Sequence, residues 1–114
     1  MDDCIFCRIV TGGIPADIVY RDEQVTAFRD IQPQAPIHVL LIPNEHIAST
    51  AALEAGHEGL IGKLFTAAAR VAQEQGVAEN GYRLTINTGP DANQTVAHLH
   101  LHLMGGRRFT WPPG

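Results

Sequence analysis

Between Ala97 and Met104 the chain alternates histidine with leucine, as His98-Leu99-His100-Leu101-His102-Leu103. Successive side chains of a strand point to opposite faces, so the spacing predicts a strand over 98–104. Its three imidazoles would line one face, with Leu99, Leu101 and Leu103 on the other, against a core. Near neutral pH an imidazole carries one lone-pair nitrogen and one N–H, which suits it to nucleophilic attack, proton transfer and metal binding. A row of three suffers desolvation and mutual repulsion, so it favours chemistry over packing. Cys4-x-x-Cys7 forms a second candidate set. Two thiolates at that spacing can chelate one zinc, which needs two more ligands, and the alternative is a pair of partly buried free thiols.

The surrounding pattern supplies elements to hold these groups. Cys4 to Val10 has apolar residues at helical spacing and meets Gly12-Gly13 and Pro15, which predicts a short N-terminal helix. Asp17–Arg21 and Val25–Asp30 flank the polar break Asp22-Glu23-Gln24, which suits a hairpin of two antiparallel strands. Pro33 and Pro36 hold the next link extended, and His38–Ile42 reads as a central strand stopped by Pro43. From Glu58 to Gln75 the period changes to that of a helix about 27 Å long, with Leu60, Ile61, Leu64, Phe65, Ala68, Val71 and Ala72 on one stripe and Gly76 as its stop. Gly81–Asn87 alternates as a further strand before the turn-rich Thr88–Asn93. One long helix and a short one over an antiparallel sheet of about five strands make an α+β domain over 1–114.

Composition narrows the function classes. A net charge of −4 with only eight basic residues and no basic run argues against binding a nucleic acid polymer, while a small phosphate ester remains compatible. No apolar run is long enough to span a bilayer, and the acidic Met1-Asp2-Asp3 start is unlike a signal peptide, so a cytoplasmic location without membrane contact is expected. In such a reducing compartment two cysteines are free thiols or metal ligands before they are a disulfide.

With these residues in view, the chain resembles the histidine triad superfamily, most closely its Hint branch of purine nucleoside phosphoramidases. The family signature, His-φ-His-φ-His-φ-φ with φ apolar, stands here as His98-Leu99-His100-Leu101-His102-Leu103-Met104. Phe28-Arg29-Asp30-Ile31, the proline-flanked segment Pro33–His38, Asn87, Gln94-Thr95 and the tail Gly105–Gly114 extend the likeness over nearly the whole chain. The resemblance implies a HIT-like fold. It also implies that His100 attacks the α-phosphorus of a nucleotide, forming a nucleotidyl-histidine that water hydrolyses. Its second ring nitrogen would donate to the carbonyl of His98, protonated His102 would stabilise charge on the phosphate, and His38 would complete the cluster. Asp30 would accept from the ribose hydroxyls, with Ile5, Phe6, Ile9, Phe28 and Ile31 lining the base pocket. Asn87 would contact phosphate, and Asn93, Gln94 and Thr95 would supply donors to it. Without the resemblance, Asp30 ends a strand, Thr95 caps one and the apolar set is ordinary core.

The resemblance has two departures and two extensions. Asn93 replaces a common glycine, and asparagine tolerates a left-handed backbone best after glycine. Arg29 stands where a close relative has histidine, placing a cation beside the ribose site. In some family members a Cys-x-x-Cys pair binds structural zinc together with the first triad histidine and one upstream, here His98 and His46. The Trp-Pro-Pro-Gly tail, carrying the chain's one tryptophan, Trp111, and the long helix imply a homodimer. The expected activity is metal-independent hydrolysis of adenosine 5′-phosphoramidates and related AMP conjugates. Alternatives are another nucleotide α-phosphate hydrolase or transferase, a nucleotide-binding interaction protein, and a metal-dependent hydrolase with zinc on His98, His100 and His102, although one strand would stretch those ligands over about 13 Å.

Overall fold

In the computed structural model the elements run α1 (Ile5–Val10), β1 (Ile18–Arg21), β2 (Val25–Arg29), β3 (Ile37–Pro43), α2 (Glu58–Glu74), β4 (Tyr82–Ile86) and β5 (Leu101–Gly105), with two 3₁₀ turns before α2. Residues 3–114 are described; Met1 and Asp2, part of the acidic start, lie outside the described residues. The strands form one antiparallel sheet in the order β1-β2-β3-β5-β4. The expected α+β architecture therefore holds. None of the helices among the described residues is long and apolar enough to cross a membrane.

The continuous apolar run of β3 is explained by burial on both faces. Val39 and Leu41 join Leu99, Leu101 and Leu103 under the Leu64, Ala68, Val71 and Ala72 stripe of α2. On the opposite face Leu40 and Ile42 pack with Phe28 and with Phe6 and Ile9 of α1. Chain order gives no hint that β5 inserts between β3 and β4. That insertion sets His102 opposite Leu40 and His38 opposite Met104, so the two histidines stand diagonally on one face.

Two expectations need correction. The paired strand begins at Leu101, so His98 and His100 precede the ladder, even though their leucine partners still enter the core. Their segment follows a turn at 90–93 and is held by Leu99 N–H donating to the Ile47 carbonyl at 2.7 Å. Phe65 does not join the core stripe and is 42% exposed, because residues adjacent in a helix point about 100° apart and Leu64 takes the inward position.

Gly105 ends the histidine strand for a packing reason. A Cβ there would sit 2.8 Å from the Val77 side chain. Gly105→Ala is expected to destabilise the fold by about 1–3 kcal/mol through overpacking, read as a lower urea midpoint with an unchanged slope.

Candidate active site

Helix α1, the segment before β1, the end of β2 with the loop after it, and the loop before β5 surround an open cavity of about 710 Å³ over His38, His100 and His102. Its apolar wall includes Ile5, Phe6, Ile9, Phe28 and Ile31, and its polar wall includes Asp30, His38, His100, His102, Asn93 and Thr95. Ile31 is 94% and Ile5 48% exposed, so large aliphatic side chains stand uncovered at the rim, as an apolar ligand surface requires. Asn93 has φ +62°, the left-handed conformation expected where it replaces glycine.

Not every anticipated residue reaches the cavity. Gln94 spends its amide inside the loop: its Nε2 donates to the carbonyls of Ala48 and Val96 at 2.8 and 3.0 Å, and its Oε1 accepts from Gly89 N–H. It thus shapes the loop carrying Asn93 and Thr95 and has no side-chain N–H left for phosphate. Asn87 lies at the end of β4 and is not on the cavity wall. Arg29 is on the wall, paired through Nε with Asp17 at 3.1 Å.

The hydrogen bonds assign a proton to each triad ring. His100 Nδ1 lies 2.7 Å from the His98 carbonyl, which can only accept, so Nδ1 carries the proton and Nε2 keeps its lone pair. The Gln34 backbone N–H donates to His38 Nδ1 at 3.0 Å, so the proton of His38 sits on Nε2. That Nε2–H donates to His102 Nδ1 at 3.0 Å and lies 3.5 Å from an Asp30 carboxylate oxygen. Neutral His102 consequently carries its proton on Nε2. Burial, reinforced by His100 and His38, pushes the His102 pKa down to about 4, and burial also lowers that of His38 against the opposing pull of Asp30. With its pKa held down near 4, His102 is a neutral N–H donor in the free protein near neutral pH. Sequence patterning could not have found the backbone groups of Gln34 and Pro43 that orient the His38 and His98 rings, since a peptide group has no residue-type signature.

These depressed values have a consequence for stability. Between about pH 6.5, where an unfolded histidine titrates, and about pH 4, the unfolded chain binds protons that folded His102 refuses. Stability contributed by neutral His102 is full above pH 6.5 and is lost as the pH falls toward 4. The urea midpoint should fall over that window, and the slope should flatten in His102→Gln; equal slopes in the two proteins would contradict the assignment.

Two groups of side chains among the described residues bring ligand atoms within 4.8 Å of one another: Cys4, Cys7, His46 and His98, and Asp30, His38 and His102. The second is committed otherwise, because the Gln34 bond keeps a proton on His38 Nε2 where a metal would need a lone pair. A zinc shared by His98, His100 and His102 is likewise disfavoured, since the lone pair of His98 is turned to the cysteines while that of His100 is not. In the first group, His98 Nε2–H donates to the Pro43 carbonyl at 2.9 Å, which frees Nδ1 to face Cys4 Sγ at 3.4 Å and Cys7 Sγ at 3.6 Å. His46 Nδ1 is 3.3 Å from Cys7 Sγ. A tetrahedral zinc with ordinary bond lengths separates sulfur from nitrogen by about 3.6 Å, so the donor set fits Cys₂His₂ zinc. Burial and the neighbouring Cys4 push the Cys7 thiol up to about 11, and a divalent cation would offset that cost by stabilising the thiolate. Cys4, Cys7 and His46 are only half-buried, and a cleft of about 410 Å³ reaches Cys4 and His46.

A five-stranded antiparallel sheet carries paired imidazoles over a largely apolar cavity, and the comparisons give the class. The HIT domain family matches residues 11–109, and the chain belongs to that family. The purine nucleoside phosphoramidase of Escherichia coli strain K12 is 50% identical over 106 residues, 93% of this chain and 89% of that protein. A 14 kDa zinc-binding protein of Brassica juncea is 46% identical over 114 residues, 98% of this chain and all of its own length. A crystal structure of a HIT family hydrolase from Legionella pneumophila superposes with a TM-score of 0.96 at 46% identity, covering 98% of this chain and 100% of its own. The protein is a histidine triad nucleotide hydrolase with phosphoramidase-type relatives.

Proposed function

We propose that the chain hydrolyses adenosine 5′-phosphoramidates, and AMP conjugates of similar shape, through a covalent nucleotidyl-histidine at His100. The observation that carries this reading is the 2.7 Å bond from His100 Nδ1–H to the His98 carbonyl, which leaves Nε2 as a lone-pair nitrogen on the cavity wall. In the first step Nε2 attacks the α-phosphorus: a phosphorus–nitrogen bond to His100 forms as the one to the leaving group breaks, and the amine departs after taking up a proton. Water then attacks the same phosphorus, returning the electron pair to Nε2 and releasing AMP. His102 Nε2–H donates to a phosphoryl oxygen, and the His38 bond to Nδ1 keeps it aimed. Asp30 receives the ribose hydroxyls, the Ile5, Phe6, Ile9, Phe28 and Ile31 wall receives the purine, and Asn93 and Thr95 meet the phosphate and leaving group. A tetrahedral zinc on Cys4, Cys7, His46 and His98 would anchor α1 and takes no part in the bond changes. Trp111 is 82% exposed, an apolar surface in keeping with the proposed homodimer, and the proposed location is the cytoplasm.

Mixing the protein with adenosine 5′-phosphoramidate should release ammonia and AMP, with a transient mass increase of one adenylyl group on the protein. Ammonia release without any adduct under rapid quench would favour direct attack by water, and no release at all would exclude this substrate class.

A further inference from the structure

We infer that Cys4, Cys7 and His46 are positioning residues for the nucleophile, acting through His98 when a zinc-class metal closes the cluster. This inference rests on the proposed role of His100 and gives the metal-competent site a part in catalysis as well as in folding.

The argument turns on one peptide group. The carbonyl of His98 orients His100, yet His98 and His100 lie outside the sheet ladder, which begins at Leu101. The 98–99 peptide is therefore not held by paired strands. On one side it is fixed by Leu99 N–H donating to the Ile47 carbonyl at 2.7 Å, and on the other by the His100 bond. Ile47 follows His46, whose Nδ1 is 3.3 Å from Cys7 Sγ, and the ring of His98 itself faces both sulfurs. Three chain segments, the start of α1, residues 46–47 and residues 98–99, thus meet at the four donor atoms directly behind this peptide.

The aromatic packing makes the link continuous. Phe6, one residue from Cys7, stands edge-on to His98 with centroids 5.9 Å apart and to His100 at 5.1 Å. His46 is edge-on to His98 at 5.0 Å. Without a metal, these segments are joined at the cluster by thiol–imidazole contacts, which are weak hydrogen bonds. With one, four coordinate bonds replace them, the Nδ1 lone pair of His98 is spent, and its Nε2–H stays on Pro43. The carbonyl that selects the His100 tautomer is then locked in direction. Partners that orient a reacting group in this way change activity by about 10- to 100-fold when lost.

The test uses the full chain in zinc-loaded and chelator-stripped forms, with the fold checked by circular dichroism. Imidazole nitrogen NMR reads the His100 tautomer, and rapid-quench kinetics reads the adenylylation rate against separately measured AMP affinity. In the loaded protein His100 should show one Nδ1–H tautomer. In the stripped protein the tautomers should average and adenylylation should slow at least tenfold, with AMP affinity changing much less. An unchanged tautomer and rate after zinc removal would overturn the inference. If the stripped protein unfolds, diamagnetic cadmium replaces zinc on the same ligands with longer bonds: a His100 Nδ1–H resonance that moves on the exchange supports the coupling, and one that stays fixed refutes it. The NMR arm needs no substrate, so a protein inactive in every form would sink the proposed reaction while the tautomer data still decide this inference.

Discussion

His100→Ala is expected to lower phosphoramidate turnover by at least about 10³-fold and to abolish the adenylyl adduct, because no other ring on the cavity wall presents a lone pair without a donor facing it. His38 Nε2 carries a proton, and His102 Nδ1 already accepts it. The substitution should leave AMP affinity within a few-fold, since Asp30 and the Phe28 wall stand on β2 and the loop after it, away from the 98–100 segment. Rapid-quench mass spectrometry with calorimetric AMP titration separates the two effects. A variant that still turned over at a tenth of the native rate would mean that the nucleophile is water or another residue.

The second large effect is at His102. Its Nε2–H is aimed at the cavity by the His38 bond to Nδ1, so His102→Ala removes a preoriented donor from the developing phosphoryl charge, which is typically worth about 10²- to 10³-fold in kcat. His38→Ala should cost less, because it leaves the donor present but unaimed. Since burial holds the His102 pKa down at about 4, any acid limb of kcat/KM that belongs to this residue must fall near pH 4 in the free enzyme. If His102→Ala instead shifted an acid limb near pH 6.5, His102 would be acting as a cation, contrary to the tautomer chain running from Gln34.

The row of three histidines and the Cys-x-x-Cys pair could be found from residues alone, because each shows in local spacing. Leucines 99, 101 and 103 enter one core in strict alternation, so the period-two pattern separates the core leucines from the histidines, but of those only His100 and His102 reach the cavity, while His98 is fully buried against Cys4 and Cys7. The apolar stripe of α2 was legible by the same logic except at Phe65, where a large apolar residue beside an inward one mimics a wider stripe. Gln94 shows the limit of motif reading. Its residue type suits phosphate, but its amide is used up by Gly89, Ala48 and Val96 of the fold around it.

Residue types and spacing by themselves determined most of the elements, the α+β class, the row of three histidines and the Cys-x-x-Cys pair, because side-chain periodicity and backbone sterics are local properties, while the resemblance added His38, His46 and the left-handed position of Asn93. Only the tertiary structure decided that β5 lies between β3 and β4, that the paired strand starts after His100, and which nitrogen of each imidazole holds the proton. Those outcomes depend on strand order and on the Gln34 N–H and the carbonyls of Pro43 and His98, peptide groups which every sequence possesses and only a fold directs at a particular ring.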